Sequence, residues 1–269
     1  MNSNAAGDAA GDPILLENTD GVLAVTLNRP HRKNAITGPM WAELAEVFSG
    51  ARGNPDVRAV LITGAGGDFC SGADLAADTR SERPPVHQLT AMARVSDAAL
   101  ALHRLDCPTL AAVDGVAVGA GMNLALHCDL VVCSERARFS EIFARRGLTI
   151  DFGGSWILPR LVGVQKAKEL ALLADIIEAG TAREMGLVNR VVPHGELMDL
   201  AWSWARRLAS APPIAIQMTK RLLTNSLSST LDEALENEGM AQTVNFGTRD
   251  TAEAIVAWQE GREPRFEGR

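Results

Sequence analysis

The sequence predicts an α/β protein with one main domain, built around a mostly parallel sheet and followed by a helical C-terminal region. The 269 residues, 46% of them hydrophobic, are enough to bury a substantial core. Extended and helical segments alternate as far as Gly163, as expected for strands joined by helical crossovers. Beyond Gly163 nearly every segment has helical periodicity, and only residues 188–192 are extended in character.

The first elements are a hairpin and a helix. Residues 14–17 and 22–27 are extended runs on either side of a Thr-Asp-Gly turn, and Pro30 ends the hairpin. A helix closed by Gly53 is predicted from apolar residues at amphipathic spacing, namely Trp41, Leu44, Val47 and Phe48.

The alternation then continues along the chain. The predicted elements are, in order, a strand at 57–63, a long helix around 86–105, a strand at 109–113, a short helix near 122–127 and a strand at 130–133. A glycine turn separates the strand at 109–113 from the short helix.

Composition excludes several classes of function. The net charge of -7, without clustered Lys or Arg, argues against a nucleic-acid partner. No apolar run is long enough for a membrane span, and the first residues lack the features of a secretory signal. The four cysteines suit a reducing compartment, so we expect a cytoplasmic protein. The cysteines form no C-x-x-C pair and the five histidines show no metal or triad spacing, so we expect neither a metal site nor a disulfide framework.

Two glycine turns follow neighbouring strands of the predicted sheet. GDFCSGADL, residues 67–75, follows the strand at 57–63, and GVAVGAGMNLAL, residues 115–126, follows the strand at 109–113. Glycine permits a sharp turn, and the helix start that follows leaves N–H groups unpaired. Two such turns can direct two N–H groups at one oxygen, as in an oxyanion hole. Taken singly, each is more often a tightly packed turn with no catalytic role.

Six motifs in order resemble the crotonase, or enoyl-CoA hydratase/isomerase, superfamily from about Ile14 to Phe266. They are LNRPHRKNAIT, GDFCSGADL, AAVDGVAVGAGMNLALHCDLVVCSERARFS, GLTIDFGGSWILPRLVG, EAGTAREMGLVNRVVP and AIVAWQEGREPRF. The resemblance implies a spiral of ββα units at 14–195 and a helical region at 196–269 that forms a homotrimer or a dimer of trimers. Residues 1–13 are then expected to be a disordered tail.

The resemblance also implies an acyl-CoA thioester substrate, with CoA as part of the substrate and no separate cofactor. The two oxyanion N–H groups would belong to Ala73 and Ala120. Six residues would line the CoA site: Arg32, Lys33, Ala35, Ser71, Asp74 and Leu75. The stretch at 76–88 itself has the character of a mobile loop, which we expect over the acyl pocket.

Parts of this CoA site have plainer explanations. Arg32 and Lys33 could belong to a solvated basic turn, and Asp74 could be an acid in the first turn of a helix. In many relatives a lysine near the C-terminus reaches CoA, and here Gly261 occupies its place. Arg262 is a candidate replacement, next to Trp258 in the aromatic position of the same motif.

Both glutamates that hydratases of this family use are missing. Asn123 and Phe143 occupy their places, and neither side chain transfers a proton near neutral pH. Asn123 could contact substrate or hold Asp151, or it could satisfy a backbone carbonyl. Glu141, the nearest other acid, is expected to be a surface residue in a first turn.

Asp151 is the remaining candidate for acid–base chemistry. It resembles the aspartate that dienoyl-CoA isomerases and the isomerases that form oxepin-CoA have at this place. Dienoyl-CoA isomerases carry a second acid where this chain has Phe143, so the resemblance favours the single-aspartate isomerases. A proton shift between two carbons needs only one base. Burial among apolar neighbours should raise its pKa. The alternative is a helix N-cap accepting from the N–H of Gly153 or Gly154.

The sequence therefore predicts an acyl-CoA isomerase that works through an enolate. Two alternatives remain: an enoyl-CoA hydratase with Asp151 as its single acid, and an acyl-CoA-binding protein that has lost catalysis.

Overall fold

The computed structural model describes residues 11–75 and 87–269. Most of the expected tail at 1–13 and of the expected mobile loop at 76–88 lies outside these residues. Nine strands are described: β1 Ile14–Thr19, β2 Val22–Leu27, β3 Ala59–Gly64, β4 Thr109–Val113, β5 Val116–Val118, β6 Leu130–Ser134, β7 Arg138–Ser140, β8 Ile177–Glu178 and β9 Arg190–Val192.

Six of these strands form the main sheet, in the order β1-β2-β3-β4-β6-β9. Only the β1–β2 hairpin is antiparallel, and each later neighbour pairs in parallel. Each of these six strands overlaps a segment that the sequence predicts to be extended. The mostly parallel α/β fold is therefore confirmed.

The sequence did not predict a second sheet, which has the order β5-β7-β8. Its strands are only two or three residues long. The segment of β5 was interpreted as a glycine turn because such short strands leave no periodic pattern. This small sheet lies beside the glycine turns, since Cys70 pairs with Ala117 of β5 in an isolated bridge.

The described helices are α1 Gly38–Ala51, α2 Gln88–His103, α3 Ala120–Leu126, α4 Gly154–Leu173, α5 Ala179–Glu184, α6 Leu197–Ser210, α7 Pro213–Asn225, α8 Leu231–Phe246 and α9 Arg249–Glu260. Helix α4 is interrupted at Gly163, where φ is 77° and ψ is 158°. No helix within the described ranges combines the length and the apolar character needed to cross a membrane.

The main sheet is covered on both faces. Alternate residues of a strand point to opposite faces, and in β3 Val60 and Ile62 join the larger apolar core while Ala59 and Leu61 join a smaller one. The smaller core is closed by α6, whose Ala201 and Ala205 are fully buried. The first four residues of β3, AVLI, are all apolar, as expected for a strand that is buried on both faces.

The chain end is tied back to the body of the protein. The buried carboxylate of Asp250 accepts hydrogen bonds from the N–H groups of Glu267 and Gly268, at 2.7 and 2.9 Å. The Arg58 guanidinium donates to the carbonyls of Ala211 and Phe266. The last residues therefore lie near the start of β3 and the end of α6, which both contribute to the smaller core.

Candidate active site

The first glycine turn is joined by hydrogen bonds to the loop that follows β2. The N–H of Ile36 donates to the Gly72 carbonyl at 2.8 Å, and the N–H of Asp74 donates to the Ile36 carbonyl at 2.9 Å. Ser71 N–H donates to the Lys33 carbonyl at 3.0 Å. This pairing places the two segments predicted to bind CoA side by side.

The second glycine turn packs directly on the first. The main chain of Cys70 bonds on both sides to β5, donating to Val116 and accepting from Val118. Gly72 has a φ of 92°, and a Cβ there would lie 2.9 Å from the Val118 carbonyl oxygen and 3.6 Å from the Ala120 nitrogen. Glycine at position 72 thus provides both the left-handed turn and the close approach.

The N–H groups of Ala73 and Ala120 donate to no acceptor in the described part of the chain. Ala120 is the first residue of α3 and is buried, whereas Ala73 is exposed. Ala73 follows Gly72, which lies against the Ala120 nitrogen. Two unpaired backbone donors, one of them at a helix start, are therefore brought to neighbouring positions.

Asp151 is held beside α3 through its main chain. The Asn123 amide, one helical turn after Ala120, donates to the Asp151 carbonyl at 3.0 Å. The Gly154 N–H donates to the same carbonyl at 2.9 Å. Phe152 and Gly153 both have positive φ, and α4 begins at Gly154 without a side-chain cap. The alternative interpretation of Asp151 as a helix N-cap is therefore wrong, because its backbone and not its carboxylate takes the N–H.

The carboxylate of Asp151 has no hydrogen-bond partner among the described residues, and its Oδ1 atom is buried. This burial raises the pKa of Asp151 from 3.8 to about 6. The Phe152 ring beside it packs against Trp41 and His127, with ring centroids 5.2 and 5.7 Å apart. The predicted rise in the pKa of this acid is thus present in the structure.

Glu141 is not the surface residue that the sequence suggested. Its exposed fraction is 1%, and its Oε2 atom lies 3.4 Å from the Asn123 amide nitrogen. Burial, together with the negative charge of Asp151, raises the pKa of Glu141 to about 8. The expectation failed because the short strand β7, which ends immediately before Glu141 in two buried residues, was not predicted.

Asp74 differs from Asp151 and Glu141 because two arginines lie against its carboxylate. Its carboxylate lies 2.9 Å from the guanidinium of Arg29 and 3.2 Å from that of Arg32. Burial alone would raise the pKa of Asp74, but the hydrogen bonds and charges of the two arginines outweigh it and hold the pKa below its ordinary value. Asp74 therefore links the two loops, with Arg32 on the more exposed side.

The remaining residues of the predicted CoA site are spread around this ion pair. Ala35 is buried, Leu75 is half exposed, and the Ser71 hydroxyl donates to the Arg32 carbonyl at 3.3 Å. The Lys33 ammonium is exposed, 3.9 Å from Asp68. Arg262, by contrast, is held by the carboxylates of Glu253 and Glu260.

The cysteines and histidines do not form an alternative site. All four cysteines are free thiols, and burial raises the pKa of Cys70 to about 12, so it is not a nucleophile at neutral pH. Both ring nitrogens of His127 are buried, and this burial together with the charge of His103 lowers its pKa to about 4. His194 pairs with Asp114 at 2.9 Å.

Known proteins resemble this chain over nearly its whole length. The profile of the enoyl-CoA hydratase/isomerase family matches residues 17–269. The chain is 35% identical over 258 residues to the 1,2-epoxyphenylacetyl-CoA isomerase of Escherichia coli, covering 95% of this chain and 98% of that protein. It is 37% identical over 269 residues to a probable enoyl-CoA hydratase of Rhodobacter capsulatus, with the same coverage.

A solved structure extends the similarity to the fold. The enoyl-CoA hydratase of Bacillus anthracis superposes with a TM-score of 0.91 at 31% identity, covering 96% of this chain and 100% of that one. The match spans the sheet, the glycine turns and the C-terminal helices. The protein therefore belongs to the enoyl-CoA hydratase/isomerase family and has the crotonase fold.

Proposed function

We propose that the protein is an acyl-CoA isomerase that moves a proton between two carbons of the acyl chain, with Asp151 as the base. The observation that carries the proposal is the Asp151 carboxylate, which is largely buried and has no partner among the described residues. A pKa of about 6 leaves it ionised but still basic at neutral pH, as a general base requires.

The N–H groups of Ala73 and Ala120 bind the thioester oxygen in this proposal. Asp151 removes a proton from an acyl carbon, and the electron pair of the broken C–H bond moves onto the thioester oxygen to give an enolate. The two N–H groups stabilise that negative charge, each donor contributing roughly 3 kcal/mol in comparable sites. The enolate then takes the proton back at a different carbon, which shifts the double bond and regenerates the carboxylate.

The CoA part of the substrate would lie along the paired loops. Arg32, Lys33 and Ser71 supply the donors there, while Ala35 and Leu75 supply apolar contact. The Arg32 guanidinium shares its charge with Asp74 but stays partly exposed, so it can still donate to a phosphate.

Hydration is a second candidate, and Glu141 favours it. With Asp151 it supplies two buried acids near Asn123, the place where hydratases of this family have a glutamate. The relative in Rhodobacter capsulatus is itself a probable enoyl-CoA hydratase. Hydration adds the mass of one water to the product, whereas isomerisation leaves the mass unchanged. The mass of the product therefore distinguishes the two functions.

The test is product analysis with a panel of straight-chain enoyl-CoA, dienoyl-CoA and aryl-acyl-CoA thioesters, followed by mass spectrometry and NMR. We expect products of unchanged mass with a moved double bond or a rearranged ring, and uptake of deuterium from D₂O at the carbon that is reprotonated. Products heavier by one water would identify a hydratase. Binding without turnover of any thioester would indicate an acyl-CoA-binding protein.

We also propose that the C-terminal helices mediate self-association into a homotrimer or a dimer of trimers. Large apolar side chains are exposed there in the single chain, and such surfaces usually mark interfaces. They include Leu223, Leu231, Phe246 and Trp258. Sedimentation equilibrium should give a mass of three or six chains, and a monomer would refute the proposal.

A further inference from the structure

The acid cluster, which we define as Asn123, Glu141 and Asp151, contains more hydrogen-bond acceptors than donors. Three buried oxygens have no partner within the described residues, one on each side chain: Asn123 Oδ1, Glu141 Oε1 and Asp151 Oδ1. The Asn123 amide nitrogen supplies the donors, to the Asp151 carbonyl at 3.0 Å and to Glu141 Oε2 at 3.4 Å. A buried acceptor without a donor destabilises the folded protein. We therefore expect one of the two acids to carry a proton that can be donated within the cluster.

A neutral Glu141 supplies that proton. A protonated carboxyl carries one O–H donor in addition to its acceptor oxygen, whereas a carboxylate only accepts. Glu141 is the most buried acid of the cluster, with 1% exposure, and Asn123 is fully buried beside it. Two carboxylates in one buried site repel each other, and the one farther from solvent gives up its charge.

We propose that Glu141 is a positioning residue for Asp151 that acts only as the neutral acid. Its Oε2 atom accepts from the Asn123 amide, which in turn holds the Asp151 main chain, and in the neutral form its added O–H supplies the donor that the cluster lacks. An ionised Glu141 would instead add a second buried negative charge near the enolate. This role rests on the proposed isomerase function for its effect on rate, but the protonation of Glu141 can be measured without any substrate.

The pKa values agree with this assignment. Burial raises the pKa of Asp151 to about 6, while burial and the Asp151 charge raise that of Glu141 to about 8. Between these values the pair holds one proton, which we assign to Glu141 because it is the more buried of the two acids.

Among the described residues, the other titratable groups near the cluster are neutral, paired or exposed near neutral pH. His127, the residue after α3, is neutral because burial and the charge of His103 lower its pKa to about 4. The charged residues of the neighbouring elements are paired with each other or exposed: Arg138 with Glu178, Arg145 with Asp175, Lys166 with Glu169, and Arg160 and Arg183 toward solvent.

The first test is thermal unfolding of Glu141→Gln against the unchanged protein from pH 4 to pH 9. Because the pKa of Glu141 is raised on folding, the stability it contributes is present below its unfolded value of 4.5 and is lost as pH rises through 8. The variant should therefore match the unchanged protein near pH 4 and unfold at a higher temperature by pH 8. Glu178→Gln, at an exposed glutamate of β8, should show no such divergence. Parallel curves for Glu141→Gln and the unchanged protein would overturn the assignment.

The second test is the pH dependence of kcat/KM. The unchanged protein should lose activity above about pH 8, and Glu141→Gln should keep most of the neutral-pH rate without this alkaline decrease. An unchanged alkaline decrease, or a 100-fold loss of kcat at pH 7 in a folded variant, would contradict a positioning role. If no thioester is isomerised but the unfolding curves diverge as expected, the proposed function fails while Glu141 stands as the neutral acid.

Discussion

Asp74 and Asp151 lie on two sides of the same candidate site and are buried in opposite electrostatic surroundings. Asp74 has two guanidinium groups within 3.2 Å, and its pKa is held below the ordinary value. Asp151 has no cation or hydrogen-bond donor at its carboxylate among the described residues, and its pKa rises to about 6. The difference separates an acid that stabilises the binding loops from one that can exchange a proton.

Loss of the carboxylate charge should have opposite effects on stability and on activity at the two acids. Removing the Asp74 charge should weaken the fold and leave the chemistry intact. Removing the Asp151 charge should strengthen the fold and abolish the chemistry. Such a trade between stability and function is expected where a buried group is kept for its reactivity.

The largest expected effect is that of Asp151→Asn on turnover. General base catalysis contributes about 10²-fold to 10⁴-fold, so kcat should fall by about 10³-fold while acyl-CoA binding persists. The exposed Asp175→Asn is the matched control and should retain full activity. Activity of Asp151→Asn within tenfold of the unchanged protein would remove Asp151 from the mechanism.

The same variant should be more stable at neutral pH. The pKa of Asp151 is raised on folding from 3.8 to about 6, so the stability that it contributes is present below 3.8 and lost as pH rises through 6. Asp151→Asn should therefore increase the free energy of unfolding by about 1–3 kcal/mol at pH 7 and by little near pH 4. Urea denaturation at both pH values measures the difference.

Asp74→Asn should decrease stability instead. It removes the acid between Arg29 and Arg32, and breaking a largely buried ion pair costs about 2 kcal/mol when the arginines retain some exposure. The control is Asp106→Asn, which breaks a surface pair with Arg52 and should cost under about 1 kcal/mol. Equal losses in the two variants would mean that the Asp74 pair does not link the loops.

The smallest effects concern CoA affinity. Arg32→Ala should raise KM by about tenfold, because a charge-assisted hydrogen bond to a phosphate contributes about 1.5 kcal/mol or more. Arg262→Ala should leave KM within about twofold, because Glu253 and Glu260 already hold its guanidinium. A tenfold rise in KM for Arg262→Ala would show that Arg262 replaces the missing lysine after all.

The backbone part of the site could be predicted from sequence, whereas the acid cluster could not. Gly72, and the glycines on either side of Ala120, indicated sharp turns after buried strands, and the positions of N–H groups follow from the turn itself. Four strands of the main sheet were predictable for a similar local reason, since β2, β3, β4 and β6 each contain four consecutive apolar residues. The hairpin turn indicated β1, and β9 lies within the extended segment at 188–192.

Glu141 and Asp151 required contacts distant in sequence. The burial of Glu141 depends on the Asn123 side chain 18 positions earlier and on a three-residue strand that has no periodic signal. The N-cap alternative for Asp151 failed because Phe152 adopts a φ of 48°, which a sequence rarely signals for a residue other than glycine. Both errors concern residues whose environment is set by tertiary packing.

The role of Asp151 as the general base is tested by the pH dependence of kcat/KM for the unchanged protein between pH 4.5 and pH 7.5. This dependence reports the ionisation of the free enzyme. If Asp151 is the base and burial sets its pKa, activity should rise with pH and reach half its plateau near pH 6. Activity that is already at its plateau at pH 4.5 would contradict the assignment of buried Asp151 as the base, because the base would then have the pKa of an ordinary exposed carboxylate.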